Sequence, residues 1–241
     1  MSYSLNDFIN NIICGNSLKV MKYIPDGSVD LILTDPPYNV SKKNANIQRK
    51  RGKFGDAKDI ALDFGDWDYG KVKWEDFIDD FVRILKPCGV LVLFYDRLEL
   101  GCIGKYLVEK YNFKVRHVGC AIKKNPAPQA RKVNWQVGSE LFLVATKNQG
   151  AGHHFNYKLG QSPDYYMFPV NYKHYHSTQK HLGLIEWIVS YWSFENDLVV
   201  DPFLGSGTTA VACRRLKRNF IGIEINSEYC KIAKERLLNE I

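Results

Sequence analysis

Seven short apolar runs punctuate the chain, at Asn11–Cys14, Leu31–Thr34, Val90–Tyr95, Val115–Ile122, Leu141–Ala145, Leu198–Val200 and Phe220–Ile223. Each is rich in β-branched or large apolar residues and is bounded by turn-forming residues, the pattern of a buried strand. Between most of them lie stretches with helical spacing: "SLKVMKYI", "WEDFIDDFVRIL", "LGCIGKYLVEKY", "LGLIEWIVSYW", "TTAVACRRLK" and "SEYCKIAKERLLNE". In the second, Phe77, Ile78, Phe81, Ile84 and Leu85 fall on one helical face. "LKPCGV" predicts that this helix, over 74–85, stops at a Pro-Gly break. Strands alternating with helices predict an α/β domain, with a mostly parallel sheet covered by helices on both faces.

Two segments break the alternation. Residues 41–62 are polar and basic and too long for an ordinary connection, which suggests a mobile functional loop. Residues 150–176, rich in Gly, His and Tyr, suggest a small insert. The remainder is consistent with one domain over 1–241, long enough to build one substantial core.

Charge changes the picture by its placement. The formal net charge is +7. Residues 42–58 hold Lys42, Lys43, Arg49, Lys50, Arg51, Lys53 and Lys58 against Asp56, and residues 123–132 hold Lys123, Lys124, Arg131 and Lys132 with no acid. These two stretches exceed the whole excess, so the rest of the chain is net negative. Local positive charge of this kind points to a polyanion, or else to solvated surface loops. The six cysteines are scattered without a C-x-x-C pair, which fits reduced thiols in a cytosolic protein. No apolar run approaches bilayer-spanning length, and the N-terminus lacks the pattern of a secretion signal. His153, His154, His174 and His176 do not follow a zinc spacing, so no metal is expected.

Two motifs carry chemistry. The first is "LILTDPPYNV" (31–40), in which a strand runs into an acid, two prolines and a tyrosine. Proline fixes φ and has no N–H, and Pro36 pushes Asp35 toward extended backbone. The corner offers a carboxylate and carbonyls but few donors, with a ring beside it. It suits a flat group that donates hydrogen bonds, such as an amino group on a base.

The second motif is "LVVDPFLGSGTTAVACRRLKRNFIGIEI" (198–225), which reads strand, glycine turn, helix, strand, and places Glu224 at the second strand's tip. Gly205, Gly207 and Ala210 satisfy G-x-G-x-x-G/A. Glycines allow a ligand close to the backbone, and the acid can accept from ribose hydroxyls. The residues alone leave NAD(P), S-adenosylmethionine and a structural turn open. The 17 residues after Glu224 are too few for the rest of a conventional dinucleotide half. The missing neighbouring strand is therefore expected from the N-terminal "NIIC", followed by "GNS".

Together the motifs resemble the DNA methyltransferases that modify an exocyclic amino group, in particular their β class, in which D-P-P-Y precedes the cofactor motif. The similarity extends through "GNSLKVMKYIPDGSVDLILTDPPYNV", "DFGDWD", "IKKNPAPQARKVNWQVGSELFLVATK", "HSTQKHLGLIEWIV" and the glycine loop, in β-class order. Two positions depart from the family pattern. Ser177 and His181 stand where H-P-T-Q-K-P has prolines, and Asn16 replaces the acid of G-D-S. An amide both donates and accepts, so Asn16 is expected to keep a contact with the cofactor's adenine.

The resemblance implies an S-adenosylmethionine-dependent methyltransferase fold with a seven-stranded sheet and circularly permuted motif order. It implies that Asp35 and the Pro36 carbonyl accept from the target amine while Tyr38 stacks on a flipped-out base. Cofactor contacts are implied for Asn16, Ser17, Asp35, Asp201, Phe203, Gly205, Ser206, Gly207 and Glu224. Thr178 and Lys180 are implied at the methionine end, with Lys180 facing its carboxylate. Double-stranded DNA is the implied partner, held by Lys42, Lys43, Arg49, Lys50, Arg51, Lys123, Lys124 and Arg131, with Asn125 and Gln129 placed to read base edges. The insert at 150–176 is the candidate for target recognition. In this family Asp at the first motif position favours adenine-N6 and Ser favours cytosine-N4, so adenine is the expected target and cytosine the alternative. A nucleotide-dependent oxidoreductase would leave D-P-P-Y and both basic stretches unused, and a catalytically dead DNA-binding relative would leave D-P-P-Y unexplained. Further expectations are a cytoplasmic enzyme of a prokaryote or phage, a homodimer, and either a cognate restriction endonuclease or partner methyltransferase system or an orphan enzyme.

Overall fold

The computed structural model describes residues 4–37, 46–47, 60–61, 72–126, 135–147, 155–170 and 179–239. Eight strands build the main sheet: β1 (Asn11–Cys14), β2 (Val29–Thr34), β5 (Leu85–Phe94), β6 (Lys114–Lys123), β7 (Ser139–Thr146), β8 (Tyr165–Phe168), β9 (Leu198–Asp201) and β10 (Asn219–Glu224). They lie in the order β1-β10-β9-β2-β5-β7-β6-β8. A separate two-residue ladder pairs β3 (Asn46–Ile47) with β4 (Ile60–Ala61), antiparallel. Within the main sheet β7 runs against β5 and β6, and every other pairing is parallel.

Side-chain alternation divides the core. Ile32, Leu91, Leu93 and Val200 pack with Phe77, Ile78 and Phe81 of α2 (Trp74–Ile84) and with Ile103 and Leu107 of α3 (Glu99–Tyr111). Their strand neighbours Leu31, Leu33, Val90, Val92 and Val199 face the other way. They meet α4 (Leu182–Trp192), α5 (Thr208–Arg215) and α6 (Ser227–Asn239). A period of two along each strand thus feeds two separate helix layers. The short α1 (Ser17–Val20) follows β1.

All seven predicted strands are present, and the eighth, β8, comes from the stretch read as an insert. It adds to β6 in parallel, with Cys120 opposite Tyr165 and Lys123 opposite Phe168. The helix stops at the Pro-Gly segment as expected, but that segment is strand rather than turn. α2 stops at Ile84 and β5 begins at once, carrying Lys86, Pro87, Cys88 and Gly89 inside the strand. Cys88 takes φ 66°, and the β2–β5 register shifts between Val29 and Leu31, so the break is absorbed as a strand irregularity. Below it the Lys86 ammonium lies 2.8 Å from both oxygens of buried Asp30, which also accepts from the Leu198 N–H at 2.9 Å. That one carboxylate ties β2, β5 and β9 together at their starts.

The N-terminal strand takes the place the sequence assigned to it. β1 pairs in parallel with β10, Asn11 opposite Ile221 and Cys14 opposite Glu224. The order of connections reverses between β2 and β9, because the chain leaves β2 toward β5 and leaves β9 toward β10. In an open α/β sheet the carboxyl ends at such a switch point form the ligand crevice. Both chemical motifs lie there.

Candidate active site

The glycine loop is held by its own acids. β9 delivers Asp201, 5% exposed, whose Oδ1 accepts from Thr34 Oγ1 at 2.8 Å and from the Phe203 N–H at 3.1 Å. Its Oδ2 accepts from Thr209 Oγ1 at 2.6 Å. Burial pushes this carboxyl up to about 6, against the lowering effect of those donors. Thr34 is the residue before Asp35, so Asp201 fastens the glycine loop to the strand that carries the D-P-P corner. Its place is a structural brace beside the glycine loop, with both oxygens bonded to the protein.

Glu224 does similar work on the neighbouring strand. Its Oε2 accepts from the Gly205 N–H at 2.8 Å and its Oε1 from the Asn226 N–H at 2.7 Å. Burial raises its pKa, and the backbone donors partly offset that. Gly205 and Gly207 take φ 56° and 88°, in the left-handed region that favours glycine. The two differ in their surroundings. A Cβ on Gly207 would stand 2.7 Å from the Ala233 Cβ, whereas one on Gly205 would meet nothing within 4 Å. Gly207 therefore serves close packing of the loop against α6, and Gly205 leaves open space beside an acid, which fits a ribose-bearing cofactor. Arg236 of α6 donates to the Ser206 carbonyl at 2.6 Å and to its hydroxyl at 3.0 Å, drawing buried Ser206 toward the protein. Phe203 packs edge-on against Phe77, ring centres 5.4 Å apart.

Asn16 and Ser17 also have local duties. Asn16 Oδ1 caps α1 by accepting from the Lys19 N–H at 3.2 Å. The buried Ser17 hydroxyl donates to the Pro202 carbonyl, joining α1 to the cofactor loop. Both residues stand at the ligand edge beside Glu224, whose carbonyl accepts from the Gly15 N–H at 2.8 Å.

Asp35 follows β2, with Pro36 and Pro37 buried behind it. Its Oδ2 is in contact with Lys180 Nζ, which lies 3.0 Å from Glu140 Oε2 and 4.9 Å above the Phe94 ring centre. Lys123 closes the series on Glu140 Oε1. Burial disfavours the charge on Lys180, yet the two carboxylates outweigh that cost and raise its pKa. Lys180, above all, holds the Glu140 carboxyl down to about 2, despite its burial. In this structure the Lys180 ammonium, expected at the methionine end of the cofactor, lies between two protein carboxylates.

Glu140 was missed in the sequence. Nothing local marks it, since it sits at the start of an ordinary apolar strand. It reaches the site because β7 runs antiparallel, so its first residues lie where the parallel strands end.

Three residues of the second basic stretch have partners within the protein. Lys123 is ion-paired with Glu140 rather than presented freely to phosphate. Asn125 Oδ1 accepts from the Val170 N–H at 2.6 Å and its Nδ2 donates to the Val170 carbonyl at 3.2 Å, so its amide bridges to backbone beyond β8. The Lys124 N–H donates to the Phe168 carbonyl at 2.9 Å, which extends the β6–β8 ladder. His181 precedes α4 and stacks on Phe168, ring centres 4.9 Å apart. Tyr38, Thr178, Lys42, Lys43, Arg49, Lys50, Arg51, Gln129 and Arg131 lie outside the described residues, as does Ser177. Among the described residues no group of three or more His, Cys, Asp or Glu could hold a metal ion, and no helix is long and apolar enough to cross a membrane.

A mostly parallel sheet with a glycine loop and an acid on adjoining strands, and a D-P-P corner across the switch point, defines a group-transfer site built for a nucleoside-bearing cofactor. The chain belongs to the DNA methylase family, whose model matches residues 29–235. It is 33% identical over 247 residues to the type II methyltransferase M2.LlaDCHI of Lactococcus lactis subsp. cremoris, covering 94% of this chain and 88% of that one. It is 32% identical to the type II methyltransferase M2.DpnII of Streptococcus pneumoniae, covering 98% and 91%. Among solved structures, the M1.HpyAVI–SAM complex superposes with a TM-score of 0.73 at 30% identity, covering 94% of this chain and 99% of that one.

Proposed function

We propose that the protein transfers a methyl group from S-adenosylmethionine to the exocyclic N6 of an adenine flipped out of duplex DNA. One observation carries this reading. The D-P-P corner and the glycine loop stand on adjacent strands, β2 and β9, and are tied together by the 2.8 Å Thr34–Asp201 hydrogen bond. A methyl acceptor held at Asp35 therefore lies beside a cofactor held at Gly205.

S-adenosylmethionine, when bound, supplies a methyl group on a positively charged sulfur. Glu224 and the open face of Gly205 suit its ribose, and the edge at Asn16 suits its base. Asp35 accepts an N–H of the target amine and orients the nitrogen. The same carboxylate stabilises the positive charge that grows on nitrogen as the methyl arrives. Pro36 and Pro37 have no N–H, so neither competes for the nitrogen lone pair. Tyr38 stacks on the extruded base, which is worth roughly 1–3 kcal/mol against a few kcal/mol for flipping. An Asp at position 35 favours adenine over cytosine as the target.

The 41–62 loop holds duplex phosphates through Lys42, Lys43, Arg49, Lys50 and Arg51, and the 150–176 segment contributes to target recognition. Neutralising the loop lysines and arginines is expected to shallow the log–log salt dependence of DNA binding by about 0.9 for each phosphate no longer held. A cytoplasmic enzyme of a type II system, paired with a restriction endonuclease and working as a homodimer, is the setting this activity suggests. The deciding test is incubation with labelled S-adenosylmethionine and duplex DNA, followed by nucleoside analysis. N6-methyladenine is expected; N4-methylcytosine would replace the target, and no label in DNA would overturn the reading.

A further inference from the structure

Given Asp35 as the acceptor for the target amine, we propose that Glu140 is a positioning residue for methyl transfer. By sharing the Lys180 ammonium, which already touches Asp35 Oδ2, it keeps that lysine from taking both oxygens of the catalytic carboxylate.

The geometry is specific. Lys180 reaches Asp35 on one side and Glu140 at 3.0 Å on the other, with its ammonium over the Phe94 ring. An ammonium has three donors, and here they are divided between two acids. The same protein shows what a lysine does when it faces one carboxylate: Lys86 lies 2.8 Å from both oxygens of Asp30. Lys180 without Glu140 is able to do likewise at Asp35, where it would compete with the target amine for acceptor sites.

Glu140 is built to hold its place. Its backbone is fixed by the β6–β7 ladder opposite Ala121, and its second oxygen is anchored by Lys123. Lys180, Asp35 and Glu140 are 14%, 23% and 28% exposed at their side chains, so their mutual attraction is only partly screened. The series is neutral as a whole, two acids and two lysines, which lets it persist at a half-buried site. With its carboxyl held at about 2, Glu140 stays ionised wherever the enzyme works.

The test is single-turnover transfer from labelled S-adenosylmethionine to genomic DNA of a methylation-deficient bacterium, together with calorimetric binding of S-adenosylmethionine. It compares the parent protein, Glu140→Gln, Glu140→Asp, Lys180→Gln and the Glu140→Gln/Lys180→Gln pair. Glu140→Gln is expected to slow transfer about 10- to 100-fold, the range of a misplaced catalytic group, with cofactor affinity within about threefold of the parent. Glu140→Asp keeps the charge but retracts it, and is expected to fall between. Because Glu140 acts through Lys180, the double variant should be no slower than Lys180→Gln alone. A Glu140→Gln rate within about threefold of the parent, additive losses in the pair, or a loss matched by weaker cofactor binding would each overturn the proposal. Should Glu140→Gln fail to fold, a parent-like rate for Glu140→Asp overturns it equally. A parent that labels no DNA overturns the functional reading itself, whereas an active parent with an equally active Glu140→Gln sinks this proposal alone.

Discussion

The glycine loop and the Asp35–Lys180–Glu140–Lys123 series stand at the same edge of the sheet but are built differently. In the loop, carboxylates bind backbone N–H groups and hydroxyls close by in sequence or on the adjoining strand: Glu224 takes Gly205 and Asn226, and Asp201 takes Phe203, Thr209 and Thr34. In the series, side chains from four separated segments meet through charge. Neutral donors at short range fix a shape. Opposed charges on long stems fix a balance, which shifts when one member is removed. The first arrangement suits a cradle for a cofactor, and the second suits a carboxylate that must exchange a protein partner for a substrate.

The largest expected break in that contrast is Asp35→Ala. Losing the acceptor for the developing charge should cut methyl transfer by about 10²–10³-fold or more. Binding of S-adenosylmethionine, followed by calorimetry, should weaken only modestly, because the loop's own bonds remain. Equal loss of binding and transfer would place Asp35 with the cradle.

Acid stability separates the regions next. Glu140 is held at about 2, below its ordinary value of 4.5. Its contribution is therefore fully present above about 4.5 and is lost as pH falls toward 2, up to about 3 kcal/mol. Asp201 has the opposite sign: raised from 3.8 to about 6, it favours the folded state when protonated, and that contribution fades as pH rises through 6. In urea titrations from pH 7 to 3, the stability gap between the parent and Glu140→Gln should narrow on acidification. A gap independent of pH would show that the ion series does not hold Glu140 ionised.

Within the cradle, Glu224→Ala removes the acceptor for two backbone donors. It should raise the cofactor dissociation constant by about 1.5–3 kcal/mol in free energy. The glycines divide their effects. Gly207→Ala combines φ 88° with a 2.7 Å approach to Ala233 and should destabilise the fold by about 1–3 kcal/mol, read from urea midpoints. Gly205→Ala meets open space, so stability should fall by no more than about 1–2 kcal/mol from strain, while cofactor affinity drops further. Similar binding losses for both would mean that the open side of Gly205 is not the cofactor's.

The smallest effect is expected at Asn125→Ala. It leaves the Val170 backbone without its amide partner and should cost about 1 kcal/mol of stability. A change in the methylated sequence without that cost would return Asn125 to base reading.

Much of this was written locally. Continuous apolar runs bounded by turn residues, separated by stretches with helical spacing, marked seven of the eight strands of the main sheet and the helices on both its faces, because burying such faces leaves few arrangements. D-P-P and the glycine loop were legible because prolines and positive-φ glycines act on the backbone where they stand. The pairing of β1 with β10 followed from strand arithmetic. Tertiary structure alone decided what depends on distant contacts. Pro87 ends the helix as read, but its place inside β5 came only with β2 alongside. Asn125, read as a base contact, found the Val170 backbone. Glu140 carried no local sign, and only an antiparallel strand in a parallel sheet brought it to Lys180. Backbone preference is a property of neighbours in sequence, whereas the partner of a charge depends on which segments the fold brings within a few ångströms.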